Sequence, residues 1–200
     1  MTALRLVKWS VIALVATTVG LAAQESLQKL YESGNDQAVI DRAGEGRASS
    51  PEDTYLAGLA YLRSERRDNG VAEFRRLSES GDEVWRLIGK SAVARLEQNN
   101  DEAISAARQA TEMAGDNMFA HYQLGLAAGS LTDWNASSLA FDRAAQLRPD
   151  FAYAHYNAGL TFQKHGNLGK ASEHFNAFLK LAPDSPDRPA VLAIMRALRK

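Results

Sequence analysis

Small, aromatic and proline residues recur along the second half of the chain at a spacing of 34 residues. The clearest pairs are Gly125 and Gly159, Phe141 and Phe175, and Pro149 and Pro183. Residues 120–126 and 154–160 also share most of their letters. A period of this length, with small and aromatic residues at fixed places, is typical of stacked helix-turn-helix hairpins. The pattern therefore predicts a helical solenoid.

These residues resemble the tetratricopeptide repeat, in which two helices cross closely at a small residue and a proline ends the second helix. With Gly125 and Gly159 at the eighth place, residues 118–151 and 152–185 form two full repeats. The second repeat keeps the expected residue types at Phe162, Gly166, Ala171, Phe175 and Pro183. The resemblance implies an all-α, right-handed α-solenoid that binds other proteins and does not catalyse a reaction.

The same pattern continues upstream with more departures. Residues 84–117 form a repeat with Ser91 in place of the glycine and Gly115 in place of the proline, and residues 51–83 form another that keeps Gly58 and Phe74. Residues 24–50 have the pattern of a shortened, degenerate hairpin. In the two full repeats, Ser137 and Phe178 replace smaller residues, so these hairpins are expected to pack slightly off the standard geometry.

The carboxyl-terminal segment 186–200 contains apolar residues at helical spacing. They are Val191, Leu192, Ile194, Met195 and Leu198. A solenoid needs a terminal helix with one polar face to cover its last hydrophobic surface, so we expect a capping helix here. A basic amphipathic helix lying on a membrane is the alternative.

The amino terminus has the pattern of a secretory signal peptide. Arg5 and Lys8 precede an uncharged apolar stretch, 9–23, that ends in small residues. Residues 1–23 are therefore expected to direct export, with cleavage after Ala22 or Ala23, and the protein to be periplasmic or secreted. An uncleaved segment that anchors the chain to the membrane, facing the periplasm, is the alternative.

Charge and composition narrow the functional classes. The chain has 23 basic and 24 acidic residues, and removing residues 1–22 takes away two basic residues and leaves a net charge of about −3. General nucleic-acid binding needs a basic excess, so no nucleic-acid partner is expected. The sequence has no cysteine, which excludes thiol catalysis and a cysteine-linked lipid anchor.

No residue pattern indicates a catalytic, cofactor or metal site. The nucleophile elbow, the phosphate loop and the dinucleotide fingerprint are all missing from the sequence. His121 and His155 occupy the same repeat place and could lie one solenoid step apart, but a metal site needs three or four ligands. We therefore predict a non-enzyme without a cofactor or a metal.

The resemblance also implies which residues line the concave groove, because the first helix of each repeat supplies that face. The predicted groove residues are Tyr55, Leu59, Arg63, Trp85, Ile88, Arg95, Phe119, Tyr122, Leu126, Tyr153, Tyr156, Asn157 and Lys164. Trp85, Phe119 and Tyr153 share one repeat place. Their rings either face a ligand or pack between neighbouring helices, and both alternatives stay open. Tyr122 and Tyr156 are expected to be exposed in the groove.

The predicted function is that of an adaptor or scaffold in the cell envelope that holds a protein or peptide in an aromatic-rich groove. The groove has tyrosine and leucine where carboxylate-clamp members of this family have lysine and asparagine, so an apolar or aromatic peptide fits it better than an acidic chain end. The alternative is a structural subunit of a membrane-associated complex that assembles through its convex face or an amino-terminal anchor.

Overall fold

The computed structural model describes residues 25–198, so the signal-peptide prediction for residues 1–23 lies outside the described part of the chain. Every regular element in that part is a helix, which confirms the all-α solenoid. The helices are α1 (Leu27–Glu32), α2 (Asp36–Ala43), α3 (Pro51–Arg63), α4 (Arg67–Ser78), α5 (Glu83–Leu96), α6 (Asn100–Met113), α7 (Met118–Ser130), α8 (Trp134–Leu147), α9 (Ala152–His165), α10 (Leu168–Leu181) and α11 (Arg188–Leu198).

The helices stack as antiparallel hairpins, α3–α4 to α9–α10, preceded by the short pair α1–α2 and followed by α11. Each full hairpin turns through a residue in the left-handed backbone region. These residues are Glu65, Gln98, Thr132 and Gly166, with φ between 58° and 91°. A backbone hydrogen bond of 2.8–3.1 Å closes each turn across its left-handed residue. The turn is thus repeated in geometry although its sequence varies.

Within three hairpins a glycine of the first helix lies directly against a phenylalanine ring of the second. A Cβ atom on Gly125 would come within 2.8 Å of Phe141, and one on Gly159 within 2.6 Å of Phe175. Where serine occupies a small-residue place, its hydroxyl bonds across the hairpin instead, as in Ser137 Oγ to the Gly125 carbonyl at 2.7 Å. The hydroxyl group of the replacing serine therefore finds its hydrogen-bond partner within the same hairpin.

The last helix covers the end of the stack. Val191 and Met195 are buried on α11, and Arg188 at its start donates a hydrogen bond of 2.9 Å to the Leu179 carbonyl of α10. No helix in residues 25–198 is long and apolar enough to cross a membrane.

Candidate interaction face

The first helices α3, α5, α7 and α9 meet on one side of the stack, and we call this surface the concave face. The structure places all thirteen predicted groove residues on these helices. The buried ones are Tyr55, Leu59, Ile88, Phe119, Tyr122 and Tyr153. The partly buried ones are Arg63, Trp85, Arg95, Leu126, Tyr156 and Asn157, and Lys164 is exposed.

An aromatic cluster fills the centre of the concave face. The Tyr55 ring on α3 lies 5.3 Å from Phe119 on α7 and 6.4 Å from Trp85 on α5, measured between ring centroids. Trp85 and Phe119 are themselves 5.4 Å apart. Edge-to-face and tilted contacts of this kind stabilise beyond the area they bury. The rings of neighbouring first helices thus pack mainly on one another.

The expected exposure of Tyr122 is wrong, because its ring is enclosed on three sides. Phe141 lies 5.2 Å from it, Phe151 lies 5.6 Å from it, and Tyr55 closes the remaining approach at 6.4 Å. Burial raises the pKa of the Tyr122 hydroxyl well above its ordinary value. This hydroxyl accepts a hydrogen bond of 2.8 Å from Asn157 Nδ2 on α9, so Tyr122 holds adjacent repeats together.

A buried chain of hydrogen bonds runs beside the aromatic cluster. Tyr55 Oη donates to Gln123 Oε1 at 2.8 Å, and Gln123 Nε2 donates to Ser91 Oγ at 3.1 Å. Ser91 Oγ in turn donates to the Ala103 carbonyl at 2.7 Å. Buried polar groups are tolerated when each finds a partner. The chain joins three hairpins and fixes their relative positions.

Arg63 links the first and last parts of the solenoid across the concave face. Its guanidinium pairs with Asp36 at the start of α2, and its Nη1 donates to Tyr153 Oη on α9 at 2.7 Å. Tyr153 Oη in turn donates to Asp187 Oδ2 at 2.7 Å. Burial is the largest single influence and lowers the pKa of Arg63, but the bonded Asp36 carboxylate together with Tyr31 and Tyr153 outweighs it and the pKa is raised. Arg63 is therefore held as a cation in a fixed position.

The short helix α1 occupies the end of the concave face next to α9. The Tyr31 ring lies 4.1 Å below the Arg63 guanidinium and 4.9 Å from the Tyr153 ring. Arg63 also donates to the Tyr31 carbonyl, and Gln28 Nε2 donates to the Asp150 carbonyl at 3.0 Å. Burial raises the pKa of the Tyr31 hydroxyl to about 12. Part of the predicted groove is thus filled by the chain's own amino-terminal helix.

Glu32, the last residue of α1, caps α9 from a distance of 120 residues in sequence. Its Oε1 accepts a hydrogen bond of 2.7 Å from the Ala152 backbone amide, the first in α9. The N-cap residue of α9, Phe151, has no capping side chain, whereas Asn117 at the same place caps α7. A carboxylate at a helix start is stabilised by free amides and by the helix dipole. Burial nevertheless raises the pKa of Glu32.

Arg95 lies on α5 beside Tyr55 and Tyr122. Its Nε is buried and has no hydrogen-bond partner within residues 25–198. Burial lowers the pKa of the guanidinium, and the neighbouring Arg67 lowers it further. Because a guanidinium stays protonated in spite of this shift, Arg95 places positive charge at the middle of the concave face.

His155 and His174 form a pair that the repeat pattern did not indicate. His155 Nδ1 faces His174 Nδ1 on α10 at 3.1 Å, and His174 Nε2 lies 3.1 Å from Asp142 Oδ1 on α8. His121 contacts the Gly115 carbonyl at 3.0 Å. Among the described residues, no three histidine or acidic side chains are arranged to hold a metal ion.

Sequence reasoning missed the residues that close the concave face. Gln28, Tyr31, Glu32 and Phe151 all contribute, and only Phe151 gave a local signal, because it replaces a capping side chain at the place of Asn117. The rest act through contacts between distant segments, which a repeat pattern does not encode.

Comparison with known proteins supports the repeat assignment. A family model described as a tetratricopeptide repeat matches residues 152–185. No curated protein matches. A solved structure of YrrB, described as a TPR protein with an unusual peptide-binding site, is 22% identical, with 84% of this chain and 88% of that chain covered and a TM-score of 0.51. MamA structures labelled AMB-1 and MSR-1 are each 20% identical, covering 83% and 78% of this chain and 93% and 91% of theirs, with TM-scores of 0.47 and 0.45.

The family match coincides with a hairpin that has the glycine–phenylalanine contact, the closed turn and the following proline. The hairpin before it repeats that geometry, and the hairpins further upstream continue the stack. The described chain is thus a stack of helical hairpins in which residues 152–185 match the tetratricopeptide repeat.

Proposed function

We propose that this protein is a non-catalytic interaction module that holds a segment of a partner protein along its concave face. Tetratricopeptide repeats form a scaffold that generally serves protein–protein interaction. The observation that carries the proposal is the position of α1, because the concave face binds a short helix of its own chain by a tilted ring contact, a cation–π contact and hydrogen bonds. Peptide recognition uses the same kinds of contact.

The structure divides the predicted groove residues into two roles within this proposal. The buried rings of Tyr55, Phe119 and Tyr122 shape the face from below and join the repeats. Direct partner contacts would come from side chains that keep accessible surface, chiefly Trp85 and Tyr156. Tyrosine and tryptophan are favoured at interfaces, because they bury a large area with little loss of side-chain entropy.

The similarity to YrrB supports this proposal only at the level of fold, since the identity is 22%. That protein is described as having an unusual peptide-binding site. A tetratricopeptide stack of similar extent thus accommodates a peptide in another protein, and we propose a peptide or protein segment as the ligand here.

A role as a structural subunit that assembles through the convex face is the second candidate. Met113 on α6 and Leu139 on α8 are 57% and 56% exposed, although they lie on second helices whose other apolar residues are buried or partly buried. Exposed apolar side chains of this size favour contact with another protein when they are grouped. This role requires no opening of the concave face.

A photo-crosslinking experiment separates the two candidates. A photoreactive residue is placed at Trp85 or at Tyr156, and the control carries it at Gln146, which is exposed on α8. In extract of the producing cells, one discrete adduct from the first two positions and none from Gln146 would support concave-face binding once the adduct's partner binds as a purified protein. Adducts from Gln146 alone, or from no position, would reject concave-face binding.

We also propose export of the protein through residues 1–23, as the sequence pattern indicates. Intact mass spectrometry of the natively produced protein is the test. A mass that begins at Ala23 or Gln24 would support export with cleavage. A mass that retains residues 1–23 would instead require the anchored alternative.

A further inference from the structure

We infer that the site occupied by α1 recognises a partner segment in which an aromatic residue is followed directly by an acidic residue, and that α1 is its built-in competitor. We call this the α1-binding site and define it by Arg63, Tyr153 and the Ala152 amide. The inference rests on the proposed function, because it names the chemistry of the partner at one end of the concave face.

The aromatic half of the site is held in place independently of α1. The Tyr31 ring packs beside Arg63 and Tyr153, which also contact each other, and those two side chains have partners outside α1. Arg63 is paired with Asp36, and Tyr153 Oη is bonded to Asp187 and to Ser185 Oγ. A cation and a tyrosine ring that lie against each other and border the Tyr31 position would therefore remain ready for another aromatic side chain.

The acidic half of the site is the uncapped start of α9. Phe151 directs its side chain into the core and supplies no capping group, and the first amide of α9, at Ala152, is open to an acceptor from elsewhere in the chain. Glu32 fills that role at 2.7 Å. Without Glu32 the amide and the helix dipole would favour another carboxylate at the same position. Because Tyr31 and Glu32 are adjacent, an aromatic–acidic pair matches both halves.

Two features make α1 a weakly held occupant. It has six residues, and a helix of that length has little stability of its own. Its Glu32 is 2% exposed, and the buried Oε2 has no hydrogen bond within the described residues and only a long ion pair, 3.6 Å, with Lys29. Burying a carboxylate with one weakly paired oxygen opposes docking.

The neighbouring helix α2 is anchored separately from α1. Asp36 at the start of α2 pairs with Arg63, and Val39 and Ile40 are buried in the core. The α1 helix can therefore leave the site without removing the rest of the hairpin.

The test uses the full chain and a labelled peptide with the sequence of residues 26–33. The release variant, Tyr31→Ala with Glu32→Ala, removes the two α1 side chains that fill the site but keeps Arg63, Tyr153 and α9. The control variant, Gln37→Ala, changes an exposed residue of the same hairpin. Binding is measured by fluorescence anisotropy, and circular dichroism confirms folding.

We expect the release variant to bind the peptide at least about tenfold more tightly than the wild type and the control, because an attached α1 competes at an effective concentration on the order of millimolar. A peptide with the glutamate changed to glutamine should bind about tenfold more weakly, because it lacks a charged hydrogen bond. A peptide with the tyrosine changed to alanine should also lose affinity.

Amide hydrogen exchange at Ala152 provides a readout that does not depend on the peptide label. Its exchange should be faster in the release variant than in the wild type and should slow again when the peptide is added. If the release variant does not fold, Glu32→Gln in the full chain replaces it in both measurements.

Equal peptide binding by the wild type and the release variant, or binding that ignores both the tyrosine and the glutamate, would overturn the inference. That result would leave adducts at Trp85 and Tyr156 possible, so the proposed function could still hold. Peptide binding without any such adduct from a natural partner would instead count against the proposed function alone.

Discussion

The hairpins at residues 118–151 and 152–185 share an Ala-His-Tyr triplet and a Gly-Leu pair in their first helices, yet they begin and pack differently. The helix α7 is capped by its own Asn117, whereas α9 is capped by Glu32 from α1. His121 contacts one carbonyl, whereas His155 contacts the equivalent carbonyl and also His174. One scaffold therefore supports a self-contained repeat and a repeat that depends on a distant segment. A few substitutions within the repeat determine which of the two forms.

The largest expected effect comes from removing the residue at the cap position in each repeat. Phe151→Ala should lower the free energy of unfolding by about 3–5 kcal/mol, because this fully buried ring packs on Phe119 and Tyr122. Asn117→Ala should cost only about 1 kcal/mol, the usual value of a capping side chain. Urea denaturation of the two variants measures both. Equal costs would mean that the two positions do not differ as the structure indicates.

The glycine–phenylalanine contact should give equal effects in the two repeats. Gly125→Ala and Gly159→Ala should each destabilise by about 1–3 kcal/mol, because the new Cβ would overlap Phe141 or Phe175. Gly169→Ala is the matched control, since it lies in α10 with no close neighbour and should stabilise by about 0.5–1 kcal/mol. Thermal melts of the three variants provide the comparison. A neutral result for either core glycine would contradict the close approach of its two helices.

The repeated contacts could be predicted from the sequence, and the contacts that close the concave face could not. Gly125, Gly159 and their phenylalanine partners recur at a fixed spacing, because each hairpin solves the same local packing problem. The contact of Glu32 with Ala152 occurs once, between segments 120 residues apart. It depends on how far the stack curves, and this curvature is a sum of small rotations between repeats.

The same limit applies to the predicted groove. The repeat place identified which residues point to the concave face, but it could not show that Tyr122 would be covered. The rings that cover Tyr122 include Phe151, the residue just before α9, and Tyr55 on α3 of an earlier repeat. Whether a side chain on this face is exposed therefore depends on long-range packing, whereas the direction in which it points depends on the local helix period.

The smallest expected effect concerns the proton content of the histidine pair. The contacts of His155 with the Pro149 carbonyl, of His155 with His174, and of His174 with Asp142 need three ring protons. Two neutral rings carry two protons, and two charged rings carry four and would repel across the 3.1 Å contact. One shared positive charge satisfies every contact, so the pair should titrate in two coupled steps.

The direction of the pH dependence follows from the environment of both rings. Burial lowers the pKa of His155 and of His174, the latter also lowered by His155 and by Lys170 on α10, while Asp142 on α8 acts in the opposite direction. Both folded pKa values therefore lie below the ordinary value of about 6.5, although the three contacts make the first added proton easier to bind than the second. This part of the stability is fully present above that pH and is lost as the pH falls through the lower pKa values of the folded state.

The histidine at the same place of the preceding repeat provides the control. His121 has Ala140 where His155 has His174, so its ring should titrate in one step, with a pKa that burial also lowers. Imidazole NMR shifts between about pH 8 and 4 would measure all three rings. In His174→Leu the titration of His155 should become single-step, and the loss of the Asp142 hydrogen bond should cost about 1 kcal/mol at neutral pH. Three independent single-step curves in the wild type would show that the rings share no proton, and the two repeats would then differ in their caps but not in their titration.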